Sequence, residues 1–182
     1  LVDLDQIAGL PDGIGRLEGA AYAVRRFDRA VDGERVHMED FAQVFGVYPD
    51  DKYKHATYRS IAKVLWLETG EVGITEFIRR LVFNAVIGNA DMHLKNWSLL
   101  YADGVTPTLS PAYDFVSTLA YIPDDKAALK FSRTARWDGF DDDELSHLAA
   151  KAGLPERLVI SIAHETVFRF REIWASERNH LP

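Results

Sequence analysis

Between Ile74 and Gly88 the chain repeats apolar residues at Phe77, Ile78, Leu81, Val82, Ala85 and Val86. That three-four spacing describes an amphipathic helix with one face in a core, and it places Arg79 and Arg80 on the other side. Gly88 stands where a left-handed residue would close the helix. Directly beyond it, Asn89, Asp91, His93, Lys95 and Asn96 put five polar or ionisable side chains within eight residues. A loop fixed to an anchored helix is a rigid platform for such groups, so the segment Asn84 to Asn96 is where function is to be sought.

The order within the loop is informative. Asp91 and Asn96 follow the spacing D-x-x-x-x-N, the relation between the catalytic base and the metal-holding amide of a kinase catalytic loop. Phosphoryl transfer needs those two types: an ionised carboxylate can take the proton of an attacking hydroxyl, and an amide oxygen is a hard ligand suited to magnesium. A plainer reading of the same residues is a polar turn in which Asn89 and Asp91 cap backbone groups and nothing reacts.

The next residues bring one more carboxylate to the same place. Trp97 to Tyr101 alternates and is rich in large side chains, Ala102-Asp103-Gly104 reads as a turn, and Pro107 to Ser110 can return as a second strand. Asn96 then lies opposite about Pro111, with Asp114 three residues on. Since paired strands run about 4.7 to 4.9 Å apart, the oxygens of Asn96 and Asp114 are expected within roughly 3 to 6 Å, with Asp91 on the same rim. Asp114-Phe115 matches the start of the metal-holding Asp-Phe-Gly element of kinases, although Val116 stands where the glycine would be.

The runs GNADMHLKNWSLLY and PAYDFVST, with AVRRFDR and RVHMEDFAQVFGV upstream, resemble the HipA family of bacterial toxin-type serine/threonine protein kinases. The resemblance runs from about Tyr22 to Thr118 by motif and through the helical tail by pattern. It implies a mainly α (α+β) fold, the helical carboxy-terminal lobe of a protein-kinase-like fold with a small β-hairpin at the active site. It also implies ATP and Mg2+ as cofactors, Asp91 as catalytic base, and Asn96 and Asp114 as metal ligands. His93, Leu94, Lys95, Asn96, Tyr113 and Asp114 would line the nucleotide site. Arg25, Arg26 and Phe27 match positions whose backbone faces the adenine, while by themselves the two arginines read equally well as surface charges on an edge strand. A cytoplasmic protein, a protein substrate (an aminoacyl-tRNA synthetase by family analogy) and a DNA-binding antitoxin partner belong to the same implication.

Composition narrows the remaining choices. A net charge of −7 and a pI near 5.3 argue against a broad basic face for direct nucleic-acid binding. No run of about twenty apolar residues offers a membrane span, and the absence of cysteine removes disulfides and thiolate metal sites. The acidic run Asp141 to Glu144 is placed to cap and start a helix, its charges favourable against the dipole. His37, His55, His147 and His164 have no neighbours at ligand spacing and read as structural.

The coarse element reading is as follows. Leu1 to Arg29 is a helix-like or irregular lead-in that contains a strand over Ala21 to Phe27. Met38 to Phe45 reads as a short helix with Met38, Phe41 and Phe45 inward, and Asp50 to His55 as a polar loop. Tyr58 to Leu67 is helical, with Gly70 past its end. Asp141 to Ala152 forms a helix closed by Gly153, and a last helix runs from Pro155 to about Glu177 with Leu158, Ile162, Val167, Phe170, Ile173 and Trp174 as its buried stripe. Lys130, Arg133 and Arg136 flank Phe131 and Trp137 in a segment of no evident class.

No glycine-rich phosphate loop follows a strand, since Gly13, Gly15 and Gly19 are spaced otherwise. The chain therefore reads as a fragment: residues 1–30 as the remnant of an amino-terminal lobe and hinge strand, residues 31–182 as the helical lobe. Three functional classes stay open at this point. They are a serine/threonine kinase, a catalytically inactive kinase-like module that binds a partner, and a metal-dependent phosphohydrolase built on the same carboxylates.

Overall fold

The periodic segment is helical, as part of α2 (Tyr58–Ile87), in the computed structural model, which describes residues 2–3, 20–21, 24–123 and 126–179. Thr57 caps the helix by accepting the Ser60 N–H at 3.1 Å. Gly70 interrupts it at φ 61°, ψ −151°, so two helical runs meet there, as its position beyond Leu67 suggests. Ile61, Leu65, Ile74, Phe77, Ile78, Leu81 and Val82 point into the core. Each large apolar side chain buried in this way contributes on the order of 1.5–3 kcal/mol. Val86, expected on the same face, is partly exposed at the rim.

Two helices pack on α2. The first, α3 (Asp142–Ala152), begins at Asp141, whose side chain accepts the Glu144 N–H at 2.8 Å, and ends at Gly153 with φ 75°. The second, α4 (Glu156–Glu177), follows Pro155. Both starts and the first stop follow the expected chemistry, with acids in the first turn of α3 and a left-handed glycine after it.

Also packed on α2, through β5, is a three-stranded antiparallel sheet in the order β3 (His37–Asp40), β4 (Ser98–Tyr101), β5 (Thr108–Leu109). Leu99 pairs with Leu109 and Leu100 with Thr108, within one residue of the register expected for the hairpin. Asp103 closes the turn by accepting the Val105 and Thr106 N–H groups at 2.9 and 2.7 Å. Trp97, buried just before β4, packs on Phe77 at a centroid distance of 4.7 Å and ties the hairpin to α2. A separate ladder joins β1 (Val2–Asp3) to β2 (Ala20–Ala21).

Three expectations are corrected. Met38 is not helical: it pairs with Leu100 in β3, and only Phe41–Val44 (α1) is helix. The switch falls at Asp40, where a reciprocal capping box with Gln43 starts the helix after the strand has found a partner in β4. Phe41 is fully buried, while Met38 and Phe45 are half-buried.

The strand expected over Ala21 to Phe27 does not extend that far. Val24 to Arg26 has no ladder partner, and Phe27 and Asp28 form a turn before the isolated bridge between Arg29 and Arg35. Tyr22, Ala23 and most of the lead-in lie outside the described residues.

The stripe of α4 is buried only in its first half, through Val159, Ile162 and Ala163. Ile173 and Trp174 are 56% and 47% exposed. The described residues supply no element to cover the last turns of α4, so the apolar period continues there without a core beneath it.

The segment from Lys126 to Trp137 folds as a docked loop. Lys130 and Phe131 give their carbonyls to the Tyr58 and Arg59 N–H groups at the start of α2. Glu144, 1% exposed, accepts the Ser132, Arg133 and Thr134 N–H groups and the Arg133 guanidinium. Burial pushes the Glu144 carboxyl up, and these donors outweigh it, holding the group below its ordinary value. Among the described residues no helix is long and apolar enough to cross a membrane.

Candidate active site

Asp91 is placed by the end of α2. Gly88 adopts φ 68°, ψ 49°, and its N–H returns to the carbonyls of Asn84 and Ala85. A side chain on Gly88 would also come within 2.7 Å of Leu119 Cδ1, so both conformation and space require glycine there. Buried Asn84 donates to the Arg80 carbonyl at 2.8 Å and accepts from the Asn89 amide at 2.8 Å. Asn89 in turn accepts the Asp91 N–H at 3.0 Å. The plainer turn reading thus describes Asn89 well, whereas the Asp91 side chain is exposed.

A second strand of contacts ties the same loop to the segment after the hairpin. Thr118 Oγ1 accepts the Ala90 N–H at 2.7 Å and donates to the Gly88 carbonyl at 3.2 Å, and Leu119 N–H donates to the same carbonyl at 3.1 Å. The run PAYDFVST is therefore clamped on the helix stop, and Asp114 has little freedom to drift from Asp91.

Asn96 and Asp114 meet directly: the Asn96 side-chain NH2 donates to an Asp114 carboxylate oxygen. Asn96 is buried and its Oδ1 accepts the His93 N–H at 3.1 Å. Asp114 is exposed and lies in the left-handed region at φ 59°. Such a conformation costs on the order of 1 kcal/mol or more for a non-glycine residue, and aspartate tolerates it better than most. The two side chains share one point, as the hairpin implies.

Asp91 is tied to His93 through the backbone, its carbonyl accepting the His93 N–H at 2.8 Å. The His93 imidazole is buried. Burial lowers its pKa, as does the Lys52 ammonium, while the carboxylates of Asp91 and Asp114 both act in the opposite direction. The net shift is downward, so His93 is a neutral group at ordinary pH.

Tyr113 forms the floor beside Asp114. Its hydroxyl donates to the Lys95 carbonyl at 2.7 Å and shares a 2.5 Å contact with Ser98 Oγ. Burial is the main reason its phenol is pushed up to about 12. Phe27 packs on it with ring centroids 5.6 Å apart, which brings the lead-in segment to the edge of the site. Arg26 is turned away to Asp28, which also pairs with Arg29; Arg25 is exposed. Lys95 is the exposed cation of the loop, whereas the Leu94 side chain is fully buried in the core. Any contact of Leu94 with a ligand is left to its backbone.

Tyr53 is a site residue that sequence reasoning missed. Its hydroxyl donates to the Asp91 carboxylate, and its ring stands edge-on to His93 at 5.1 Å. Partial burial, then the bond to Asp91 and its charge, push the phenol up to about 12. Nothing in DDKYKH marks that tyrosine as different from a surface one. Beside Tyr53 and Asp91 opens a cavity of about 810 Å³.

Comparison with known proteins places the chain in a family. A family model described as the HipA-like C-terminal domain matches residues 8–174. A protein of Sinorhizobium fredii NGR234 named "Putative kinase Y4dM" is 59% identical over all of this chain, which spans 44% of it. Y4mE of the same strain, with the same description, is 35% identical over 75% of this chain and 34% of its own length. This chain thus spans less than half the length of these curated relatives. Among solved structures, the Shewanella oneidensis MR-1 toxin-antitoxin complex of HipA, HipB and operator DNA superposes with a TM-score of 0.73 at 23% identity, over 86% of this chain and 42% of that one. That likeness extends the agreement to the fold, a mainly helical kinase-like lobe. The chain belongs to the HipA family, as a HipA-like C-terminal domain.

Proposed function

We propose that this chain is the catalytic lobe of an ATP- and magnesium-dependent serine/threonine protein kinase. The observation that carries the reading is the meeting of Asn96 with Asp114 on the loop that carries Asp91, where the Asp91 carbonyl and Asn96 Oδ1 share the His93 N–H, in a chain whose curated relatives Y4dM and Y4mE each bear the name "Putative kinase".

The residues present fit magnesium. The ion favours hard oxygen ligands, and where it works on nucleotides it uses one or two protein groups and leaves its other positions to phosphates and water. Asn96 and Asp114 are such a pair, and they would hold it. Asn96 faces Asp114 through its NH2 and the His93 N–H through its oxygen, so the two candidate ligands already meet at one point. When bound, magnesium would neutralise charge on the phosphates.

The protein's own residues do the rest. Asp91 accepts the proton of a serine or threonine hydroxyl as its oxygen bonds to the γ-phosphorus and the bond to the β–γ bridging oxygen breaks, releasing ADP. Tyr53 holds the Asp91 carboxylate, and Asn89 fixes its backbone. Tyr113 and Phe27 offer an aromatic floor at the edge where the nucleotide would enter. Residues 1–30 are read as the hinge toward a phosphate-covering lobe. The solved Shewanella neighbour is a complex with HipB and operator DNA, which supports an antitoxin partner here as well.

The test is Asp91→Asn in the full-length protein. The amide keeps the shape and cannot take a proton, so phosphoryl transfer should fall by roughly two orders of magnitude or more while magnesium-ATP binding persists. Undiminished phosphorylation by that variant would remove Asp91 from its role.

A further inference from the structure

The cavity beside Asp91 has a chemistry that the proposed reaction does not use. Of about 810 Å³, it is lined by Lys54, His55, Arg59, Lys126 and Lys130. Asp91 is the one carboxylate among the described residues that line it. A concentration of cations on one wall runs against the net charge of −7 of the whole chain.

The positive character comes from side chains and not from the helix end behind them. The Tyr58 and Arg59 N–H groups at the start of α2 are satisfied by the Lys130 and Phe131 carbonyls at 3.0 and 2.9 Å, and the Ser60 N–H by the Thr57 hydroxyl. Lys54 pairs with Asp51 at 3.0 Å, and His55 approaches the same carboxylate at 4.0 Å. Arg59 and Lys130 have no carboxylate partner among the described residues. Arg133, by contrast, is spent on Glu144 and Asp143, so among the basic residues around Phe131 a sorting has occurred: Arg133 holds the fold, and Lys130 faces the cavity.

We infer that this cavity receives an acidic segment of the acceptor protein, its carboxylates on Arg59 and Lys130 and its serine or threonine hydroxyl delivered to Asp91. The inference rests on the reading of Asp91 as the base. The cavity lies in the size range of sites that enclose ligands of many atoms and is much larger than one anion requires. Its cations are few and confined to one concavity, whereas nucleic acid is bound by a broad basic face or stripe, so a protein segment fits better than RNA. Complementary charge of this kind acts on selection and encounter, and it weakens as salt rises.

The experiment uses the full-length protein and fluorescent peptides in which one serine is flanked by glutamates or by lysines, with transfer from ATP measured in parallel. The acidic peptide should bind roughly tenfold more tightly than the basic one at low salt, with the preference shrinking as salt is added. Arg59→Glu with Lys130→Glu should abolish or invert that preference and raise KM for the acidic peptide, leaving KM for ATP unchanged; Lys130→Glu alone, an exposed position, should do so in part. Equal affinities, or a preference indifferent to both reversals, would overturn the site. So would displacement of the acidic peptide by an RNA oligonucleotide whose own binding is lost in the double variant. Charge-dependent peptide binding without any transfer would support the site and count against the kinase reading. Transfer without charge preference would do the reverse.

Discussion

At the scale of single residues, the site contains one base candidate whose surroundings are mostly invisible in the sequence. The meeting of Asn96 with Asp114 is legible because a short hairpin must return the chain to where it left. Tyr53 is not legible: it lies 38 residues from its partner, and no local pattern encodes a contact across that gap. Its hydroxyl nevertheless donates to the Asp91 carboxylate and fixes where that group points, and a reacting group misplaced by about 1 Å can cost on the order of a hundredfold in rate. Tyr53→Phe should therefore lower phosphoryl transfer by roughly tenfold or more while lowering the melting temperature only slightly, since Tyr53 is exposed and its ring stays against His93. Transfer kinetics beside a thermal melt would check it, and an unchanged rate would reduce Tyr53 to a bystander.

At the scale of elements, the helix stop at Gly88 and the acidic start of α3 carry most of the positioning. Gly88→Ala should cost about 2 kcal/mol or more, from the left-handed backbone and from the clash at Leu119. It should also loosen the Thr118 clamp and with it Asp114, so that activity falls further than stability alone explains; denaturant melts and transfer rates measured on the same variant separate the two. Glu144 makes a prediction about pH. Its folded carboxyl titrates below its ordinary value, so its stabilisation is fully present above the unfolded value near 4.3 and is lost as pH falls through the lower folded value. Glu144→Gln should cost about 1–3 kcal/mol at pH 7 and progressively less toward pH 3. A gap that stays constant with pH would mean that shape, not charge, holds the loop. The sequence shows Glu144 as a first-turn acid and no more, because the three backbone donors that need it come from residues ten to twelve positions earlier. The strand at His37–Asp40 was hidden for a related reason: its partner, β4, lies some sixty residues on, and a four-residue helix beginning at Phe41 makes the apolar spacing look helical from Met38.

At the scale of the whole molecule, the chain holds base and metal-ligand candidates, yet no glycine-rich loop borders Asp91 and Asp114 among the described residues. The curated relatives are more than twice its length, which leaves room for a covering lobe, and Phe27 against Tyr113 marks the edge from which such a lobe would extend. Helical periodicity carries the fold because α2, α3 and α4 bury one another, and it fails at Ile173 and Trp174, where the period persists without a neighbour among the described residues. On the proposed reading, a nucleotide bound by residues 1–182 alone would lack whatever phosphate donors the rest of a longer protein supplies. Each missing charge-assisted hydrogen bond is worth about 1.5–3 kcal/mol, or roughly a factor of ten or more in affinity. Residues 1–182 alone should thus bind magnesium-ATP at least about tenfold more weakly than the intact protein in calorimetry. Equal affinities would place every phosphate contact within this chain, and Lys95, the exposed cation of the loop, would then be the first residue to substitute.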